Sequence, residues 1–197
     1  RWSTRRGAFL AKAAAGVVAA AGALPAIPAE VGAAALRTLS SSLRALDEAP
    51  HDQVHPLLYA AEGFLGLHDH PLRDSALPVI SRELGRILAA SHALGRVPEF
   101  LTGEPGTARM DILAQTLRVA ALLRASGATV TVDWAEALRL RGQLVCALTG
   151  EGTLPYVHGE VPVRHNVWAT MFADQALAFA ANDDRPPGTA RDAQLVV

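Results

Sequence analysis

The sequence predicts an all-α fold built from repeated αα-hairpins, and three observations predict it. Half of the 197 residues are hydrophobic but only 5% are aromatic, so Ala and Leu, both strong helix formers, carry the apolar content. Apolar side chains recur at three- and four-residue steps in one segment after another, with Gly and Pro between the segments. Distinctive side chains also repeat at a fixed spacing. His55, Asp111 and Trp168 lie 56 and 57 residues apart, and the same offsets relate Tyr59, Gln115 and Phe172, then Glu62, Arg118 and Gln175.

Taken in order, the first element is an Ala/Val-rich run that follows Gly7-Ala8-Phe9-Leu10 and extends to Leu24, read as an internal helix ended by Gly22 and Pro25. The pair Arg5-Arg6 ahead of it gives a second reading, a twin-arginine export signal; without it the chain is expected to be cytoplasmic. At about 16 residues the run is short for crossing a bilayer, so no membrane segment is expected. Leu36, Leu39, Leu43 and Leu46 place a helix over about 28–46. Asp52 is expected to cap the next helix, about 55–67, with Pro56 in its first turn, where a missing N–H does no harm. His68-Asp69-His70-Pro71 reads as a loop, and Val79, Ile80, Leu84, Ile87 and Leu88 give a helix over about 77–94. A turn-rich stretch, Gly95 to Gly106, precedes a helix over about 108–126 that Gly127 ends. Asp133 caps a helix over about 134–148, the Gly/Pro loop from Gly150 to Val163 holds two short extended pieces, and the last helix spans about 166–181. The tail 182–197 is polar loop with a short extended end. Nothing reads as a linker, so residues 1–197 form one domain of about seven helices.

The loops repeat as well. Gly95-Arg96-Val97-Pro98 matches Gly152-Thr153-Leu154-Pro155, again 57 residues apart. A two-helix unit of this length is an αα-hairpin that cannot bury both faces alone, so neighbouring hairpins stack. It is longer than the roughly 34-residue unit of tetratricopeptide arrays and suits a closed ring, with parallel inner helices whose N-terminal ends open on one rim beside the Gly-x-[Val/Leu]-Pro loops.

His-Pro-Leu-x-Tyr-x-x-Glu-Gly at 55–63, Asp-x-x-Ala-Gln-x-x-Arg at 111–118 and Asn-x-Trp-Ala-x-x-Phe-x-x-Gln-Ala-Leu at 166–177 carry a resemblance. The pattern is similar to the (α/α) toroid superfamily: six-hairpin glycosidases, sugar epimerases and polysaccharide lyases, with the related terpenoid cyclase and prenyltransferase barrels. It covers about residues 50–181. The resemblance implies part or all of an (α/α) toroid, the chain supplying a C-terminal half ring or a shortened arc, and a bacterial polysaccharide setting.

Residues at i, i+4 and i+7 share a helix face. His55, Tyr59 and Glu62 form one polar stripe, Asp111, Gln115 and Arg118 a second, and Trp168, Phe172 and Gln175 a third, with Asn166 at its helix start. Carboxylates and amides suit sugar hydroxyls, and aromatic rings stack on a sugar's C–H face. Helix N-termini at the rim favour an anion such as a uronate, which Arg109 and Arg118 can pair bidentately. One reading is therefore a carbohydrate- or uronate-acting hydrolase, lyase or epimerase. In it Glu62 or Asp111 is the carboxylate catalyst and Tyr59 or His55 the proton donor or base. Arg118, Gln115, Asn166, Trp168, Gln175 and Arg109 bind the substrate. The other reading is a non-catalytic module that binds a glycan or protein partner. There Glu62 and Arg118 form a structural ion pair completed by Gln175, Asp111 caps its helix, Trp168 and Phe172 are core, and His55 is a helix-start hydrogen bonder.

Weaker signals are His68-Asp69-His70, which reads as solvated loop rather than a metal site, and His158 and His165, candidate rim acid–base groups. Cys146, the one cysteine, excludes an internal disulfide and is expected as a buried thiol. No zinc set, diphosphate-ionising Asp cluster, nucleotide Gly loop or nucleophile elbow is present. No cofactor or metal is therefore expected. The formal net charge of −1 gives no electrostatic footprint for nucleic acid.

Overall fold

The computed structural model describes residues 7–48, 51–127, 132–159 and 161–181. The Arg5-Arg6 pair and the tail from 182 onward lie outside the described residues. Among the described residues seven α-helices account for the regular structure: α1 Leu10–Ala23, α2 Ala29–Glu48, α3 Val54–Leu65, α4 Pro71–Leu94, α5 Met110–Ala125, α6 Trp134–Ala147 and α7 Val167–Ala181. Among the described residues the only β-type pairings are isolated bridges: Gln53 with Phe100, Arg109 with Val157, and Pro155 with His165. The last two stand where short extended pieces were expected in the 150–163 loop. The all-α expectation therefore holds. No helix among the described residues is long and apolar enough to cross a membrane.

The chain forms two compact units. One holds the described residues up to 51 together with 56–80, and the other 52–55 together with 81–181. In the first, α1 packs on α2. α1 is Ala-rich and buries Ala11, Ala14 and Ala15, small side chains that permit close helix approach. α2 buries Leu39, Ser42 and Leu46, two of the leucines that set its period. Helix α3 is buried along almost its whole length, including Leu57, Leu58, Phe64 and the charged Glu62. Gly63 explains how it fits. A Cβ there would lie 2.5 Å from the backbone carbon of Ala11 and the nitrogen of Lys12, so only glycine allows α3 to touch the α1 backbone.

In the second unit α5 packs mainly on α7 and also on α6. α5 is buried from Met110 to Ala121, polar Asp111, Gln115, Thr116 and Arg118 included. Such all-round burial marks a central helix. Gly95 and Gly152 both take left-handed backbone, with φ of 69° and 75°. The residue two places after each, Val97 and Leu154, is buried.

Four expectations need correction. Helix α4 starts at Pro71, not near Leu77, and carries Pro78 inside it. Pro71 sits at the first position, where no N–H is needed, and His70 Nδ1 accepts the Leu72 N–H at 3.2 Å, so a segment that reads as a breaker opens the helix. Asp52, expected to cap α3, instead accepts from Thr102 N and Thr102 Oγ1, both at 2.7 Å. Arg109 is the N-cap residue of α5; Asp111 is the second residue inside the helix, where its Oδ1 accepts the Ile112 N–H at 2.9 Å. Cys146 is exposed, because α6 buries Ala137, Leu140 and Leu144 and a residue two further on lies about 200° round the helix. The Asp133 cap is as expected: its carboxylate accepts the Glu136 N–H at 3.0 Å.

Candidate functional site

Of the predicted site residues in the first unit, Tyr59 and Glu62 meet around Lys12. Glu62 is fully buried, and Lys12 Nζ reaches its Oε2 at 2.6 Å. The same ammonium lies 4.7 Å from the centroid of the Tyr59 ring, within cation–π range. A buried carboxylate is costly unless a cation and hydrogen bonds compensate it, and Lys12 supplies the cation. Lys12 had no place in the sequence reading, since a pair 50 residues apart leaves no local pattern.

The second unit brings α5 and α7 together at Arg118 and Gln175. Arg118 Nη1 donates to Gln175 Oε1, and the guanidinium lies 4.8 Å from the Phe172 ring centroid. Arg118 is among the largest fully buried side chains, and Gln115, one turn before it, is also buried. The predicted stripes of α5 and α7 thus meet, as the shared register requires. Asn166 caps α7, its Oδ1 accepting the Ala169 N–H at 3.0 Å. Trp168 turns the other way and is 61% exposed. The preceding residue, Val167, is exposed too. His55, at the start of α3, is buried.

At the N-terminal end of α5, Arg109 ties two acids together. Its Nε and Nη2 donate to the two oxygens of Asp111 at 3.1 and 2.6 Å, and Nη1 reaches Glu99 Oε1 at 3.3 Å. The Tyr156 ring lies beneath, 5.1 Å away by centroid. Burial opposes the Arg109 charge, but the Asp111 carboxylate outweighs it, so the guanidinium pKa is raised. Burial, aided by Asp111 and Glu99, pushes the Tyr156 phenol above its ordinary value against the pull of Arg109. Glu99 Oε2 further accepts from Thr107 N and Oγ1 at 3.2 Å. All three donor positions of Arg109 are engaged within the protein, so the cluster holds the loop before α5 in place.

Beside that cluster lies a cavity of about 590 Å³, lined by Leu94 to Val97, Ala108 to Met110, Leu113, Gly142, Gln143, Cys146 and His158. Its walls are mostly apolar. The cavity brings in Arg109 and His158, both singled out from sequence, and adds Arg96 and Gln143, which were not. The Gly95-Arg96-Val97-Pro98 loop was visible as a repeat, but no sequence signal distinguishes its Arg96 from the Thr153 of its counterpart as a cavity residue. Among the described residues no group of three or more His, Cys, Asp or Glu side chains is arranged to hold a metal ion.

No family model, no curated protein and no solved structure matches this chain.

Proposed function

We propose that this chain is an αα-hairpin module of the (α/α) toroid kind that engages a carbohydrate by binding it, not by catalysis through Glu62 or Asp111. The observation that carries this is the contrast between Trp168 and the carboxylates. Trp168 stands 61% exposed at the start of α7, where an indole face suits a sugar's C–H face. Glu62 and Asp111 are buried, and each is held by a cation at 2.6 Å. The toroid reading draws support from the matched left-handed glycines of the two Gly-x-[Val/Leu]-Pro loops and from the α5–α7 contact through Arg118 and Gln175.

Titrating the protein with a neutral and a uronate-containing oligosaccharide, by calorimetry, tests the proposal. Binding of either is expected to weaken about tenfold or more in Trp168→Ala, with the melting temperature unchanged because the side chain is exposed. Binding that ignores this substitution, or no binding at all, defeats it. A hydrolase, lyase or epimerase working through Tyr59, His55, Glu62 or Asp111 predicts instead that Glu62→Gln abolishes turnover in a well-folded protein. The proposed binding role predicts that Glu62→Gln lowers thermal stability. A protein partner is the second reading, favoured by the exposed apolar residues Val167 and Met171, which share the start of α7 with Trp168. Its sign is a change in sedimentation on Trp168→Ala.

A further inference from the structure

Charge accounting around the 590 Å³ cavity separates its two arginines. Arg109 is neutralised by Asp111 and Glu99. Arg96 has no such partner: among the described residues it forms no ion pair, and its Nη2 donates to the Gly106 carbonyl at 3.0 Å. Among the described residues neither Arg96 Nη1 nor Gln143 Oε1, in the same cavity wall, has a hydrogen-bond partner, and both atoms are shut off from solvent. The Gln143 amide is oriented by its other end, Nε2 donating to Gly95 O at 2.7 Å. One cationic donor and one acceptor are thus left unmet beside a largely apolar space. Each unmet group is a cost that a ligand group can recover.

The volume falls within the range of about 300–1,000 Å³ common for small-molecule sites, and apolar walls with a few placed polar groups are their usual construction. Val97, Met110 and Leu113 are buried wall residues, and they offer no hydrogen bonds to a sugar's hydroxyls.

We propose that this cavity binds a small apolar hydroxy acid. Its carboxylate pairs with Arg96 Nη1, its hydroxyl donates to Gln143 Oε1, and its hydrocarbon body lies against Val97, Met110 and Leu113. Charge-assisted pairing of a carboxylate with a guanidinium is the stronger contact. Both atoms are shut off from solvent as they stand, so Arg96 and Gln143 each reach the ligand by a change among staggered side-chain rotamers, with no backbone movement. The site is independent of the Trp168 surface.

Cys146 provides the readout. It lines the cavity, is exposed, and is the chain's one cysteine, so alkylation by a maleimide reports a single position. Phenyllactate is expected to slow that alkylation and to bind by calorimetry. Phenylpropionate, lacking the hydroxyl, phenyllactamide, lacking the charge, and lactate, lacking the apolar body, are each expected to bind more weakly. Arg96→Met is expected to weaken phenyllactate about tenfold or more, and Gln143→Leu to erase the preference over phenylpropionate. Helical circular dichroism confirms that both variants are folded, and Arg96→Lys, which keeps the charge, is expected to retain part of the affinity. The proposal fails if phenyllactate neither binds nor protects Cys146. It fails equally if the amide binds as well as the acid, if phenylpropionate binds as well as phenyllactate, or if folded Arg96→Met binds as well as the parent protein.

Discussion

Glu136 is buried in the first turn of α6, and Arg139 grips both its oxygens at 2.5 and 2.7 Å. His92 approaches at 3.4 Å from α4. Burial alone would raise this carboxyl's pKa, but hydrogen bonds from Arg139 and Ser91 and the Arg139 charge outweigh it, so it falls below the ordinary value of 4.5. A depressed folded-state pKa means that the unfolded chain binds the proton first. This contribution to stability is therefore complete above about pH 4.5 and is lost as pH falls through the lower folded value. Thermal melts between neutral pH and pH 3 should show a shallower acid decline in Glu136→Gln than in the parent; equal slopes would contradict the assignment. At this scale the sequence was partly legible. Cys146 was misplaced because a hydrophobic run does not say which residue leaves the buried face, whereas the 100° step from Leu144 does, once Leu144 is known to be buried. The pairing of Lys12 with Glu62 depends on chain segments that meet only in the fold.

Among the elements, the α1–α3 contact at Gly63 is the least tolerant. Adding one methyl group there meets backbone on the opposite helix at 2.5 Å, and backbone cannot swing aside as a side chain does. Gly63→Ala is expected to destabilise by about 1–3 kcal/mol or more, the cost of overpacking outweighing the gain in helix propensity. Gly85→Ala, at a helix position with nothing within 4 Å, is the control and should be neutral or slightly stabilising; equal denaturation midpoints for the two would refute the close-approach argument. At the start of α7, Asn166→Ala removes the cap to Ala169 N and should cost about 1 kcal/mol in chemical denaturation. Helix existence was legible throughout from 3.6-residue periodicity, and the Asp133 cap with it. The early start of α4 was not, since Pro71 and Pro78 both carry a breaker's signature and only the position of each within the turn decides the outcome.

For the whole molecule, the near balance of charge sets colloidal behaviour. The formal net charge is −1 with histidines counted as neutral, and the sequence pI is about 6.7. Turbidity at fixed concentration should peak between about pH 6 and 7, where the net charge is near zero. The polar stripes were legible as stripes, but their roles were not, because spacing places Glu62, Arg118 and Gln175 on helix faces without revealing which cation or amide each face meets. Composition adds one chemical consequence. Lys12 is the only lysine in the chain, so lysine acylation has a single target, and its ammonium is the cation against a fully buried carboxylate. Acetylation there would erase the positive charge and remove the ion pair that Lys12 makes with Glu62, turning one modification into a graded control on how firmly the first helix stays seated.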